Sequence, residues 1–159
     1  MRAAVLTVST SKARGEGTDE SGPALADVAR RIGADSVEHD VVIDDCDAVA
    51  ARIVHWADDE GCDLVLTTGG TGFAPSDVTP EATLSAIDRH APGIAEAMRA
   101  ASREHTRHWM LSRGVAGIRG RTLIVNFPGS PRSIAQAAEP LIPALPHALE
   151  LLAGMHSSH

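Results

Sequence analysis

The 159-residue chain has only two cysteines, Cys46 and Cys62, and no CxxC pair, which argues against a disulfide scaffold or a zinc ribbon. Free thiols in a reducing, cytoplasmic setting are expected. Positive charge is also scarce: 14 Lys and Arg against 21 Asp and Glu leave a formal net charge of −7. Binding to nucleic acid or an anionic membrane needs clustered cations, so neither is expected as a partner. An anionic small ligand remains compatible where helix N-termini, backbone amides, a metal ion and a few cations supply positive potential. No apolar run approaches the roughly 20 residues that span a bilayer, and the apolar stretch 3–8 is too short for a signal-peptide core. Internal repeats, low-complexity tracts, an HExxH pair and a spaced Ser-His-Asp set are absent as well. The histidines, including His105 and His108 on a predicted helix and His156 and His159 in the tail, read as solvent-facing.

What the chain does contain is a regular alternation of strands and helices. Residues 3–9 form a near-continuous apolar strand, as a sheet covered on both faces requires. A polar loop, 10–21, leads to a helix with Leu25, Val28, Ala29 and Ile32 on one face, stopped at Gly33. A second strand, 36–43, precedes Asp44, Asp45 and a helix bearing Val49, Ile53, Trp56 and Ala57. A third strand, 63–68, runs straight into glycine-rich 69–72. Three such units in succession predict an α/β fold with a mostly parallel central sheet. Thr79 as N-cap with Pro80 behind it starts the next helix, 91–93 break it, and another helix spans Ile94 to about Arg107. Segments 110–112 and 115–118 suggest a hairpin before a strand at 122–126. Amphipathic helices carrying Ile134, Ala137, Ala138, Leu141, Leu145, Leu149 and Leu152 follow, punctuated by Pro140, Pro143 and Pro146. One domain over 1–153, with a frayed tail 154–159, accounts for the length.

The stretch Leu66–Glu81, LTTGGTGFAPSDVTPE, ends a buried strand in a glycine turn, at the place where open α/β sheets bind ligands. Gly69, Gly70 and Gly72 let backbone N–H groups approach phosphate oxygens. The pattern is neither a Walker A loop nor a GxGxxG fingerprint. After the strand at 122–126 comes a second stiff turn, NFPGSPRS, in which Ser130 and Ser133 can donate to phosphate near a helix start. In the first loop Ser9, Ser11, Lys12 and Arg14 follow the strand tip, and Thr18, Asp19 and Ser21 approach the next helix. Lys12, Arg14 and Arg132 are the candidate phosphate cations. Each feature also has a plain structural reading: a tight bend at the glycines, a Pro-Gly turn, an Asx turn at Asp77 ahead of Thr79, and a helix-start carboxylate at Asp44.

TTGGTG followed by SDVTPEAT resembles the glycine loop of the MogA/MoaB family, the molybdopterin adenylyltransferases related to the gephyrin G domain. VSTSKARGEGTDESGPAL, VVIDD and NFPGSPRS extend the resemblance, in order, over nearly the whole chain. The resemblance implies a three-layer αβα sandwich and Mg²⁺-dependent transfer of AMP from ATP to the terminal phosphate of molybdopterin. A MoaB-like molybdopterin-binding protein without that activity is the alternative. It also implies a homotrimer or a hexamer, with hand-over to a molybdate-inserting MoeA-like protein. Asp44 and Asp77 match the family's functional aspartates, and at the ends of neighbouring strands they would supply hard oxygen ligands to Mg²⁺. Ser9, Ser11, Lys12, Thr68, Gly69, Gly70, Thr71, Gly72, Pro128, Gly129, Ser130, Arg132 and Ser133 would contact substrate. Asn126 would present a donor and an acceptor to the pterin edge.

Overall fold

The computed structural model describes residues 1–155, so the expected fraying of 156–159 and the placement of His156 and His159 lie outside the described residues. Strand β1 (Arg2–Val8) is buried along almost its whole length and pairs in parallel with β2 (Ser36–Val42) on one side and β3 (Leu64–Thr68) on the other. Next to β3 runs β6 (Thr122–Phe127), also parallel. The sheet is completed by β5 (Ala116–Arg119), antiparallel to β6, and the two-residue β4 (Arg89–His90), giving the order β2-β1-β3-β6-β5-β4. Thr7 is level with Thr68, and Thr68 with Phe127. The carboxyl ends of β1, β3 and β6 therefore finish side by side.

Because successive strand side chains point to opposite faces, β1 divides its apolar residues between two cores. Ala3 and Val5 join Leu64, Leu66, Leu123, Val125 and Phe127 beneath α2 (Ser21–Ile32), α5 (Pro92–Ser102), α6 (Pro131–Ala138) and α7 (Leu145–Leu152). Ala4, Leu6 and Val8 join Val65 and Ile124 beneath α3 (Cys46–Val54) and α4 (Thr79–Ala86). This is the expected three-layer αβα sandwich. The helix after Asp45 extends into a π-helical turn, His55–Asp59, which sends Trp56 into the second core. Both cysteines are free, and burial pushes the Cys62 thiol pKa up.

Several expectations change. The loop 10–21 contains a short helix, α1 (Thr10–Ala13), because the Ser9 side chain caps it by accepting from the Lys12 N–H. The break at 91–93 is preceded by β4, whose two residues are too few to show a period. Helix α5 ends at Ser102, so His105 and His108 lie in the exposed turns beyond it. The hairpin is formed by β5 and β6 across Gly120, whereas Trp109–Leu111 is a 3₁₀ turn. None of the described helices is long and apolar enough to cross a membrane.

Candidate active site at the carboxyl edge of the sheet

The turns that leave β1, β3 and β6 are tied to one another. After β3, Gly69 and Gly70 have φ of +95° and +67°; a Cβ on Gly69 would stand 2.5 Å from the Val8 carbonyl oxygen, and one on Gly70 2.4 Å from Thr79 Oγ1. Only glycine permits this passage. Thr79 does not cap α4 as expected: its hydroxyl donates to the Gly69 carbonyl at 2.9 Å and its N–H to the Gly70 carbonyl at 3.1 Å. The start of the helix thus closes the glycine turn. Across the edge, the Thr68 hydroxyl donates to the Pro128 carbonyl at 2.7 Å and the Ser21 hydroxyl to the Gly129 carbonyl at 2.6 Å.

Between these turns lies a cleft of about 430 Å³ that brings together Ser9, Lys12, Thr68, Gly69, Gly129 and Ser130 from the expected contacts. Ser130 caps α6 by accepting from the Ser133 N–H and also donates to, or accepts from, the Ser133 hydroxyl. Lys12 is the chain's only lysine and donates to the Glu16 carbonyl at 3.3 Å. Arg14 and Arg132 are exposed outside the lining. Asn126, Pro128 and Ser133 line a smaller cavity of about 170 Å³ between α5, the 3₁₀ turn and α6. Ser11, Asp44, Gly70, Thr71, Gly72 and Asp77 belong to neither lining.

Asn126 does not have the free polar edge expected of it. It is 2% exposed, donates to the Thr67 and Thr83 hydroxyls, and accepts from the Val115 N–H. Its amide links β6 to β3, α4 and the start of β5, a requirement of the interior.

Asp44 and Asp77 do not stand at the ends of neighbouring strands, because β1 runs between β2 and β3. Asp44 Oδ2 accepts from both the N–H and the hydroxyl of Thr10, each at 2.9 Å, and so ties the β2 end to α1. The helix-start role falls to Asp45, which caps α3 through the Ala48 N–H. Asp77 forms no Asx turn toward Thr79; its Oδ2 accepts from the Ala74 N–H at 3.0 Å. Among the described residues no three His, Cys, Asp or Glu side chains converge as a metal cage. In both aspartates the hydrogen bonds fall on Oδ2, which leaves Oδ1 as a hard oxygen donor. Such a donor set fits Mg²⁺, which commonly takes one or two carboxylates and fills its shell with water and phosphate.

A third carboxylate sits in the cleft itself. Asp19 Oδ1 accepts from the Ser21 and Gly22 N–H groups at the start of α2. Its Oδ2 accepts from the Thr7 hydroxyl at 2.7 Å and lies 3.1 Å from His39 Nε2. Partial burial pushes its pKa up, but the Gly22 N–H, Thr7 hydroxyl, His39 and Ser21 N–H outweigh it and hold the carboxyl below its ordinary value. The available signal was an Asp two residues before a helix-start Ser. Arg113, which holds the glycine turn from the far side, had no local signal.

A mostly parallel sheet with donor-lined turns around a cleft defines an open-sheet α/β protein with its ligand site at the strand carboxyl ends. Residues 4–147 match the family described as a probable molybdopterin binding domain, and the chain belongs to that family. The molybdopterin adenylyltransferase of Helicobacter pylori strain J99 is 38% identical over 152 residues, covering 94% of this chain and 86% of that protein. Among solved structures, the molybdopterin biosynthesis enzyme MoaB of Thermus thermophilus superposes with a TM-score of 0.86 at 46% identity, covering 96% of each chain. The molybdopterin biosynthesis Mog protein of Mycobacterium ulcerans gives a TM-score of 0.89 at 38% identity, covering 95% of this chain and 98% of that one.

Proposed function

We propose that the protein is a molybdopterin adenylyltransferase that transfers AMP from ATP to the terminal phosphate of molybdopterin and releases pyrophosphate. The observation that carries this reading is the single cleft onto which the turns after β1, β3 and β6 open, lined by Ser9, Lys12, Gly69 and Ser130. The α6 start, which opens on the cleft at Ser130 and Pro131, and the Ser9 hydroxyl suit phosphate oxygens, and Lys12 supplies a point charge. A phosphate monoester has a second pKa near 6 and is largely dianionic at neutral pH, so the nucleophile needs no general base. The protein's task is to place two phosphates in line and exclude misaligned attack. Asp44 and Asp77, through their Oδ1 atoms, would hold Mg²⁺, whose charge offsets that building on the leaving pyrophosphate. The same reading includes a cytoplasmic homotrimer or hexamer and hand-over of the adenylylated pterin to a molybdate-inserting MoeA-like protein.

The test is pyrophosphate release from ATP in the presence of molybdopterin and Mg²⁺. Asp77→Asn is expected to lower turnover by about 100-fold, the scale of losing one aligned electrostatic group, and to leave most of the pterin affinity. Wild-type turnover by that variant sinks the role of Asp77. A wild-type protein that retains pterin but releases no pyrophosphate is a binding module instead.

A further inference from the structure

Arg113 lies between the 3₁₀ turn and β5, 36 residues from Asp77, yet it holds both ends of the turn that carries that aspartate. Its backbone N–H donates to the Thr71 carbonyl at 2.8 Å. Its side chain donates through Nε to the Gly72 carbonyl at 2.7 Å and through Nη2 to the Asp77 carbonyl at 2.8 Å. The remaining nitrogen, Nη1, pairs with the Glu81 carboxylate in the first turn of α4. Between the clamped ends, residues 73–76 are exposed. The turn's other ties run between Ala74 and Asp77: the Asp77 N–H donates to the Ala74 carbonyl at 2.9 Å, and the Ala74 N–H to Asp77 Oδ2 at 3.0 Å. Space there is tight, since a Cβ on Gly72 would stand 2.9 Å from Asp77 Oδ2. A small shift of either end therefore relocates the carboxylate.

We infer that Arg113 is a positioning residue of the active site: its guanidinium holds turn 71–77 in the arrangement that presents Asp77, and it acts through Asp77 without touching substrate. The inference rests on the adenylyltransferase reading and on the part of Asp77 in it. The chemistry is specific to arginine. A planar fork bonds three separated acceptors at once, whereas a lysine ammonium of the same charge reaches them only one or two at a time. Glu81, the third of these acceptors, fixes the plane of the fork.

Arg113→Lys keeps the charge and tests the fork. Turnover is expected to fall by about 100-fold, the scale of a small misplacement of a catalytic group, with the KM values for ATP and molybdopterin little changed. Hydrogen exchange on the ligand-free variant should show lost protection at Ala74 and Asp77, with the sheet amides unchanged. In an Asp77→Asn background the same substitution should cost nothing further, because the two residues act as one unit. Additive losses in the double variant, unchanged exchange at Ala74 and Asp77, or lost protection throughout the sheet each overturn the inference. If Asp77→Asn alone turns over like wild type, the catalytic reading of Asp77 fails, and the exchange data still decide whether Arg113 holds the turn.

Discussion

Asp19 carries more donors than Asp44 or Asp77, and its chemistry follows from them. Because its pKa in the fold lies below the ordinary 3.8, the carboxylate stays charged and bonded at pH values where the unfolded chain has begun to protonate. The stability it contributes is fully present above the ordinary value and is lost as pH falls through the lowered one. Melting temperatures followed from neutral pH to below about pH 4 should thus drop more steeply for wild type than for Asp19→Asn. Parallel curves would leave Asp19 without that role. At this scale sequence reading succeeded with the residues whose constraint is local. Gly69 and Gly70 are needed for their own φ and for the atoms beside them. It differs from the structure at Asn126, expected at the ligand but spent on Thr67, Thr83 and Val115 from elsewhere in the chain, and at Thr79, expected to cap α4 but closing the glycine turn instead.

Four of the helices are begun by a side chain that precedes them. Ser9 caps α1, Asp19 serves the start of α2, Asp45 caps α3 and Ser130 caps α6. The caps of α1, α2 and α6 join local stability to site geometry, because they fix helix starts that line the cleft. Ser130→Ala should cost about 1 kcal/mol of folding free energy, measured by urea denaturation, and should weaken ATP binding. An unchanged midpoint would show that the cap is not holding the helix. The elements with long, periodic apolar patterns were legible: β1, α2, β3 and β6 fall within a residue or two of expectation, and the helix after Asp45 reaches as far as expected only through its π-helical turn. The short ones were not. The four residues of α1, tied through Thr10 to the distant Asp44, and the two of β4, paired with β5, carry no period of their own.

Taken whole, the molecule couples its main core to its site through Phe127, which is fully buried at the end of β6 while its carbonyl accepts the Gly69 N–H at 3.3 Å. Phe127→Ala should cost about 3–5 kcal/mol and lower turnover in the molecules that remain folded. Chemical denaturation together with active-site titration measures both, and a stability loss with full specific activity would uncouple them. The sequence by itself determined the α/β class, the mostly parallel sheet, and the three turns where glycine, proline and capping residues gather, because hydrophobic period and turn chemistry are local properties. Tertiary structure alone decided that β1 separates β2 from β3, that Asp19 in the cleft meets Thr7 and His39, and that Arg113 clamps the turn before Asp77. Those facts depend on strand order and on contacts between residues tens of positions apart, which no local pattern encodes.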